Sequence, residues 1–392
     1  MKRVTILSQA LAIACFLLLP VTGALASQSY PFGLLLVGPA NDHGWSQAHF
    51  EAGRELEKKL PGAKMIYIDK VNPVDRPGIT IPMLVDDLVS KGAKLIIGNS
   101  DDMKDGMREA AIMHPEINFI HVSGDDVLTG KATPNLSNLM GRMTYGKMMA
   151  GFVAAMTSQT GKIGYLGPLI NAETRRLTAA AYLGARYAWT QVRKKKASDL
   201  KFKVSWIGFW FNIPGVTSDP TLVTNNFIDS GYDVVLSGID TTEALVVAGQ
   251  KRKEGKTVWA IPYDYKGACV SAPEACLGVP YFNWIPGYSD MIGKAMGGQW
   301  QQQFLWLAPD WRNINNPDTS PVGFMTGKAM SPETKKALVD FQNALGNGSL
   351  NLFTGPLNFQ DGTTFLKKGE QATDDQVWNL PQLLKGMEGA SK

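Results

Sequence analysis

The chain has 392 residues, 44% of them apolar and 19% charged, with a formal net charge of +4. That balance is globular rather than disordered or fibrous, and so small a charge gives no argument for a nucleic-acid partner. The length suits two domains of ordinary size, each able to bury a core.

The first residues read as a secretory signal peptide. Met1-Lys-Arg3 precedes an apolar run from Leu11 to Pro20, and Ala24-Leu-Ala26 offers a small-residue cleavage pattern. Cleavage after Ala26 leaves 366 residues and a charge of +2, because Lys2 and Arg3 depart with the leader. The run is too short to span a bilayer comfortably. Cys15 lies inside it, and Ala12-Ile-Ala14 lacks the leucine of a lipid-anchor site, so a soluble periplasmic protein is expected.

Beyond the leader the pattern alternates. Phe32 to Val37 reads as a strand, and 38–49 as a loop rich in polar and aromatic groups. The helix-periodic run 50–60 follows, then a strand at 64–69. A helix at 83–90, a strand at 92–98, a helix at 106–113 and a strand at 117–122 continue the rhythm. Residues 138–156 form a Met-, Ala- and Gly-rich segment whose small residues at helical spacing permit close packing, and the methionines read as core filler. After a break at 157–160 the rhythm restarts. Strands are expected at 161–167, 202–208, 233–237 and 257–262, and helices at 174–192 and 219–230. Arg193-Lys-Lys-Lys196 reads as a solvated helix end. In the tail, 291–306 looks helical with Trp300 and Trp306 on it. Residues 321–325 look like a strand, 331–346 like a helix opened by Ser331 and Pro332, 351–358 like a hairpin arm, and 381–386 like a short closing element.

Strands alternating with helices in two successive halves predict an α/β protein of two lobes, with mostly parallel sheets flanked by helices and a cleft between them. The first lobe is expected over 27–157 plus about 286–318, and the second over 158–285 plus about 319–392. Cys269 and Cys276, seven apart in an exported chain, are expected to form a disulfide.

The strand-end loops carry the candidate site, since ligands of open α/β sheets sit beyond the carboxyl ends of the strands. The first offers Asp42, Trp45 and Ser46, and the loop after 92–98 offers Asn99 and Asp101. In the second half Trp210 and Phe211, Asp240, and Asp264 flanked by Tyr263 and Tyr265 stand at strand ends. Aromatics with carboxylates at the edge suit a flat heterocycle bearing N–H or hydroxyl donors. The bland reading makes Asp42 or Ser46 a helix cap and Trp45 a core staple, and leaves Asp102, Asp125 and Asp126 as caps or solvated loop residues. The chain has no nucleophile elbow, dinucleotide fingerprint or phosphate loop, and no patterned metal ligands. A secreted nucleoside or glycoside hydrolase using two strand-end carboxylates is the alternative.

Four stretches resemble the basic membrane protein family of ABC-transporter substrate-binding proteins. They are Asn41-Asp-His-Gly-Trp-Ser-Gln47, Asn138-Leu-Met-Gly-Arg-Met-Thr-Tyr-Gly-Lys147, Ser158-Gln-Thr-Gly-Lys-Ile-Gly-Tyr-Leu-Gly167 and Ala260-Ile-Pro-Tyr-Asp264. The resemblance implies a type I periplasmic binding protein, not an enzyme. It also implies a nucleoside, purine or related ligand, no cofactor, and a membrane permease as partner; the protein is expected to be a monomer. On the same resemblance Asp42 would bind the base edge, Trp45 and Trp210 would stack on its faces, and Ser46 would add a short hydrogen bond. Asp240 and Asp264 match acidic positions of the second lobe. The family usually places Phe and Asn where this chain has Trp45 and Ser46.

Overall fold

The computed structural model describes residues 29–392; the expected signal peptide and Cys15 lie outside the described residues. The chain begins with β1 (Tyr30–Leu35), α1 (Trp45–Lys59), β2 (Ala63–Ile68), α2 (Ile81–Ser90), β3 (Leu95–Gly98), α3 (Lys104–Met113), β4 (Asn118–Val122) and β5 (Leu136–Gly141). Helix α4 (Met143–Thr157) leads into β6 (Lys162–Gly167), α5 (Ala172–Tyr187), β7 (Lys201–Trp206), α6 (Pro220–Asp229), β8 (Val234–Ser237), α7 (Glu243–Lys253) and β9 (Trp259–Ile261). The tail supplies β10 (Gly278–Phe282), α8 (Ile285–Met296), β11 (Phe304–Leu307), β12 (Val322–Thr326) and α9 (Pro332–Gly346). It closes with β13 (Leu357–Asn358), β14 (Thr364–Leu366), α10 (Asp374–Trp378) and β15 (Met387–Glu388).

Two parallel sheets organise two lobes. The first has the order β11-β5-β4-β3-β1-β2 and the second β15-β7-β6-β8-β9. Strands of such sheets are covered on both faces and read as unbroken apolar runs, and Leu34-Leu-Leu36 and Leu95-Ile-Ile97 are fully buried. Between the lobes β10 and β12 form an antiparallel pair. Phe282 and Val322 at one end pack in the first core, while Leu277 and Phe324 at the other pack in the second. The helices start where local chemistry directs. Asn171 and Thr174 form a reciprocal capping box at α5, and Ser331 caps α9 with Pro332 just inside. Helices α4 and α5 approach backbone to backbone, because a Cβ on Gly151 would lie 1.8 Å from the Ala181 carbonyl oxygen and one on Gly184 2.0 Å from that of Met148.

Three sequence expectations need correction. The segment 291–306 is not one helix: α8 ends at Met296, Gly297 and Gly298 terminate it with φ +68° at the latter, and Trp306 lies in β11, an edge strand of the first sheet. The Met-rich segment from 138 divides into the end of β5 and α4, with Arg142 between them. The hairpin arm shrinks to the two-residue β13 paired with β14. Strand β10 had no counterpart in the sequence reading. Cys269 and Cys276 form a disulfide, with Cα atoms 5.5 Å apart.

Candidate functional site

The carboxyl ends of the two sheets face each other, and their loops meet across a narrow cleft. Trp45, Ser100, Asp101 and Ser123 line it from the first lobe. Tyr165, Glu173, Trp210, Asp240 and Tyr263 line it from the second. The loops touch in a closed arrangement. The Trp45 amide stands 3.4 Å from the Asp240 carbonyl oxygen, Asn171 Nδ2 donates to Asp101 Oδ2 at 3.3 Å, and Trp210 Nε1 donates to Asp102 Oδ2 at 3.2 Å. The Ser123 hydroxyl donates to Glu173.

Each expected site residue has a definite place. Trp45 is anchored in the first lobe. Its Nε1 donates to the Asn99 carbonyl oxygen at 2.7 Å, and its ring packs edge-on against His49, Phe282 and Trp284. It therefore staples the core and still lines the cleft. Asn99 supports it from behind: fully buried, it accepts the Val37 amide on Oδ1 at 2.9 Å and does not reach the cleft. Trp210, Asp101 and Asp240 line the cleft as well. Phe211 packs against the first lobe's core and against Phe209 at 5.1 Å.

Asp42 serves the helix start and Ser46 the loop before it, and neither lines the cleft. The Asp42 carboxylate accepts the backbone N–H groups of Gly44, Ser46 and Gln47 at 2.8, 2.8 and 2.9 Å, satisfying donors that a helix start leaves open. Burial nonetheless raises its pKa, with these hydrogen bonds opposing. Ser46 Oγ accepts the Gly38 amide at 3.0 Å. Asp264 is fully buried behind Tyr263 with both carboxylate oxygens unpartnered, and it holds φ +71°, a strained setting for a non-glycine residue. Asp126, expected as a cap or solvated, is fully buried and accepts Arg108 Nε and Nη2 on one oxygen.

Sequence reasoning missed Tyr165, Glu173, Ser100, Ser123 and Lys147. Glu173 sits in the first turn of α5, where an acid reads as a dipole partner, yet it faces the cleft and burial raises its pKa against the pull of Arg176 and Ser123. Lys147 is buried on α4. Its Nζ donates to the Ser237 carbonyl oxygen at 2.7 Å and lies 3.2 Å from the Tyr263 ring centroid. Burial lowers its pKa to about 7, with Asp264 and Asp240 opposing. A lone cation in a Met- and Ala-rich helix was the available signal. Burial raises Asp240 and Asp264 well above the ordinary carboxylate range; the Asp264 charge adds to the rise at Asp240, whereas Lys147 opposes it at Asp264. Among the described residues no group of His, Cys, Asp or Glu is placed to hold a metal ion, and no helix is long and apolar enough to cross a membrane.

Aromatic surfaces on both lobes and carboxylates between them can sandwich a flat ring and accept its N–H groups. The family described as Bmp, ABC transporter substrate-binding protein PnrA-like, matches residues 31–308. A purine-binding protein of Brucella abortus (strain 2308) is 27% identical over 93% of this chain and 95% of its own length. Two solved structures share the fold. One is an ABC transporter solute-binding protein of Aeropyrum pernix K1, with TM-score 0.64 and 12% identity over 91% of this chain and 100% of that one. The other is an ABC transporter solute-binding protein of Conexibacter woesei DSM 14684, with TM-score 0.60 and 16% identity over 82% and 98%.

Proposed function

The chain belongs to the Bmp family of PnrA-like ABC transporter substrate-binding proteins, and from that premise we propose that it is a periplasmic receptor for a purine base or nucleoside. It is a substrate-binding protein, it acts outside the cytoplasm, and its partners are a small molecule and an ABC permease. In the proposed reading it works as a monomer, exported by its N-terminal leader. The lobes close on the ligand and hold it ready for the permease, and no bond is made or broken.

One observation carries the choice of ligand. Trp45 and Trp210 reach the same cleft from opposite lobes, with Asp101, Glu173 and Asp240 around them. A flat ring between the indoles loses its water on both faces, while its N–H or hydroxyl groups find carboxylate acceptors. The Brucella relative, named for purine binding, supports the same choice. Trp45, Trp210, Asp101 and Asp240 are the proposed contacts made directly. Asn99 and Asp42 act through the loop they hold, and Ser46 and Phe211 complete that loop's surroundings. Asp264 acts from behind the wall.

Native mass spectrometry of gently purified protein, followed by calorimetry with purine bases and nucleosides, tests the reading. The expected result is a retained purine mass, or saturable one-to-one binding with ligand recovered intact by chromatography. Saturation by a hexose with no heat from any purine, or turnover beyond one equivalent, would overturn it.

A further inference from the structure

The cleft buries more negative charge than it neutralises. Asp240 lines the cleft and is 5% exposed; Asp264 behind it is fully buried with neither oxygen bonded. The other acids around them are accounted for. Asp42 takes three backbone N–H groups, Asp102 takes the Trp210 indole, and Glu173 takes the Ser123 hydroxyl with Arg176 at 3.6 Å. The charges that raise Asp240 come from Asp264, Asp42, Glu173 and Asp102, and the cation that interacts with it is Lys147, which Asp264 also holds. Asp264 feels the same repulsion from Asp42 and Glu173, opposed by Lys147 and by the neighbouring Tyr263 side chain. The remaining ionisable neighbours, Tyr263 and Tyr165, are buried phenols whose ionisation burial opposes. Two carboxylates thus share one amine, Lys147, whose pKa burial lowers to about 7 and whose Nζ is already engaged by the Ser237 carbonyl and the Tyr263 ring. In an open cleft water solvates the surplus charge; in the closed one nothing does.

We propose that closure of the lobes puts one proton on the Asp240–Asp264 pair, so that Asp240 meets the ligand as a carboxylic acid, one oxygen donating and the other accepting. The inference rests on the purine reading above and narrows it. An ionised carboxylate accepts only, and its complement is an edge with two adjacent donors, as in guanine. A carboxylic acid complements a donor beside an acceptor, the pattern of adenine, with its amino group next to an unprotonated ring nitrogen. The pair therefore selects adenine-type ligands over guanine-type ones. Burial, which pushes both carboxyls upward, acts in the same direction. Two like-charged carboxyls in one site commonly hold a proton between them.

Calorimetry of the full protein with adenine and adenosine, run near pH 7 in phosphate and in Tris, reads the proton directly from the difference in heat between buffers. Uptake of about one proton per ligand is expected, with affinity falling up to roughly tenfold per pH unit above the pair's raised range. Guanine and guanosine are expected to bind more weakly. Asp264→Asn removes the second carboxyl of the pair and its repulsion of Asp240, so uptake should fall and the preference move toward guanine. Binding with no proton uptake by the wild-type protein, or a wild-type preference for guanine, would overturn this inference and leave the purine reading intact. No binding of any purine would overturn that reading, and this inference with it.

Discussion

The amide of Trp45 and the carbonyl oxygen of Asp240 stand 3.4 Å apart across the cleft, joining a strand-end loop of one lobe to one of the other. The contact is possible only because Gly44 precedes Trp45. A Cβ at Gly44 would sit 1.6 Å from that same oxygen.

Gly44→Ala should therefore act as a wedge. Gly44 holds φ −146° with ψ −128°, outside the β and α regions open to alanine, so the variant also strains the loop of the first lobe itself. Closing the lobes would force an overlap whose relief costs about 2 kcal/mol or more, roughly thirtyfold in affinity. Calorimetry should show weakened binding, and the melting temperature of the ligand-free protein measures the backbone strain separately. Small-angle scattering should show that saturating ligand no longer compacts the molecule. Wild-type affinity in this variant would mean that the loops need not touch.

Trp210→Ala separates stacking from stability. Trp45 is a poor probe, because its ring packs on Phe282 and Trp284 and its removal would cost about 3–5 kcal/mol of folding. Trp210 stands on the loop after β7 and reaches the other lobe through its indole N–H to Asp102. Its loss should lower ligand affinity by about 2 kcal/mol and leave the urea midpoint nearly unchanged. Unaltered affinity would show that the ligand does not lie against it.

The two lobes were legible because parallel strands buried on both faces write unbroken apolar runs, as at Leu34-Leu-Leu36 and Leu95-Ile-Ile97. The loops were legible because strand ends are where such sheets bind. The role of each loop residue was not. Asp42 and Asp240 look alike in the sequence, yet one spends its oxygens on a helix start and the other lines the cleft. Tyr263 and Asp264 are neighbours, yet the side chain at the cleft is the tyrosine, and Asp264 is fully buried at φ +71°. Glu173 and Lys147 reach the site through the packing of α4 and α5, a long-range fact that no local pattern carries. Strand β11 was hidden because Phe304-Leu-Trp-Leu307 is too short for its period to tell strand from helix.

Arg108→Met should destabilise the first lobe without touching the cleft. Asp126 is fully buried, accepts two N–H groups of Arg108 on one oxygen, and has no partner on the other. Removing the guanidinium leaves a buried carboxylate uncompensated, at about 3–5 kcal/mol. The double variant Arg108→Met, Asp126→Leu removes both charges and should recover most of that loss. Urea denaturation of the two variants checks the pair, and a double variant no more stable than the single would place the stabilisation elsewhere.

His49 sets an acid limit on the fold. It is fully buried on α1, with Nδ1 2.5 Å from the Tyr288 hydroxyl and its ring stacked on Trp284 at 4.3 Å. Burial holds its pKa well below the ordinary value of 6.5. Below that ordinary value the unfolded chain takes up a proton that the folded chain refuses. The stability due to the neutral ring is therefore full above it and lost as pH falls toward the depressed folded value. Asp240 and Asp264, raised by burial, have the opposite sign: the folded state holds their protons longer, so they favour folding as pH falls. A difference measurement isolates the histidine. His49→Phe keeps a ring against Trp284 and removes the titration. Between about pH 6 and 5 the wild-type protein should lose up to about 1.4 kcal/mol per pH unit relative to this variant. Parallel stability curves for the two proteins across that range would mean that the imidazole accepts its proton without unfolding.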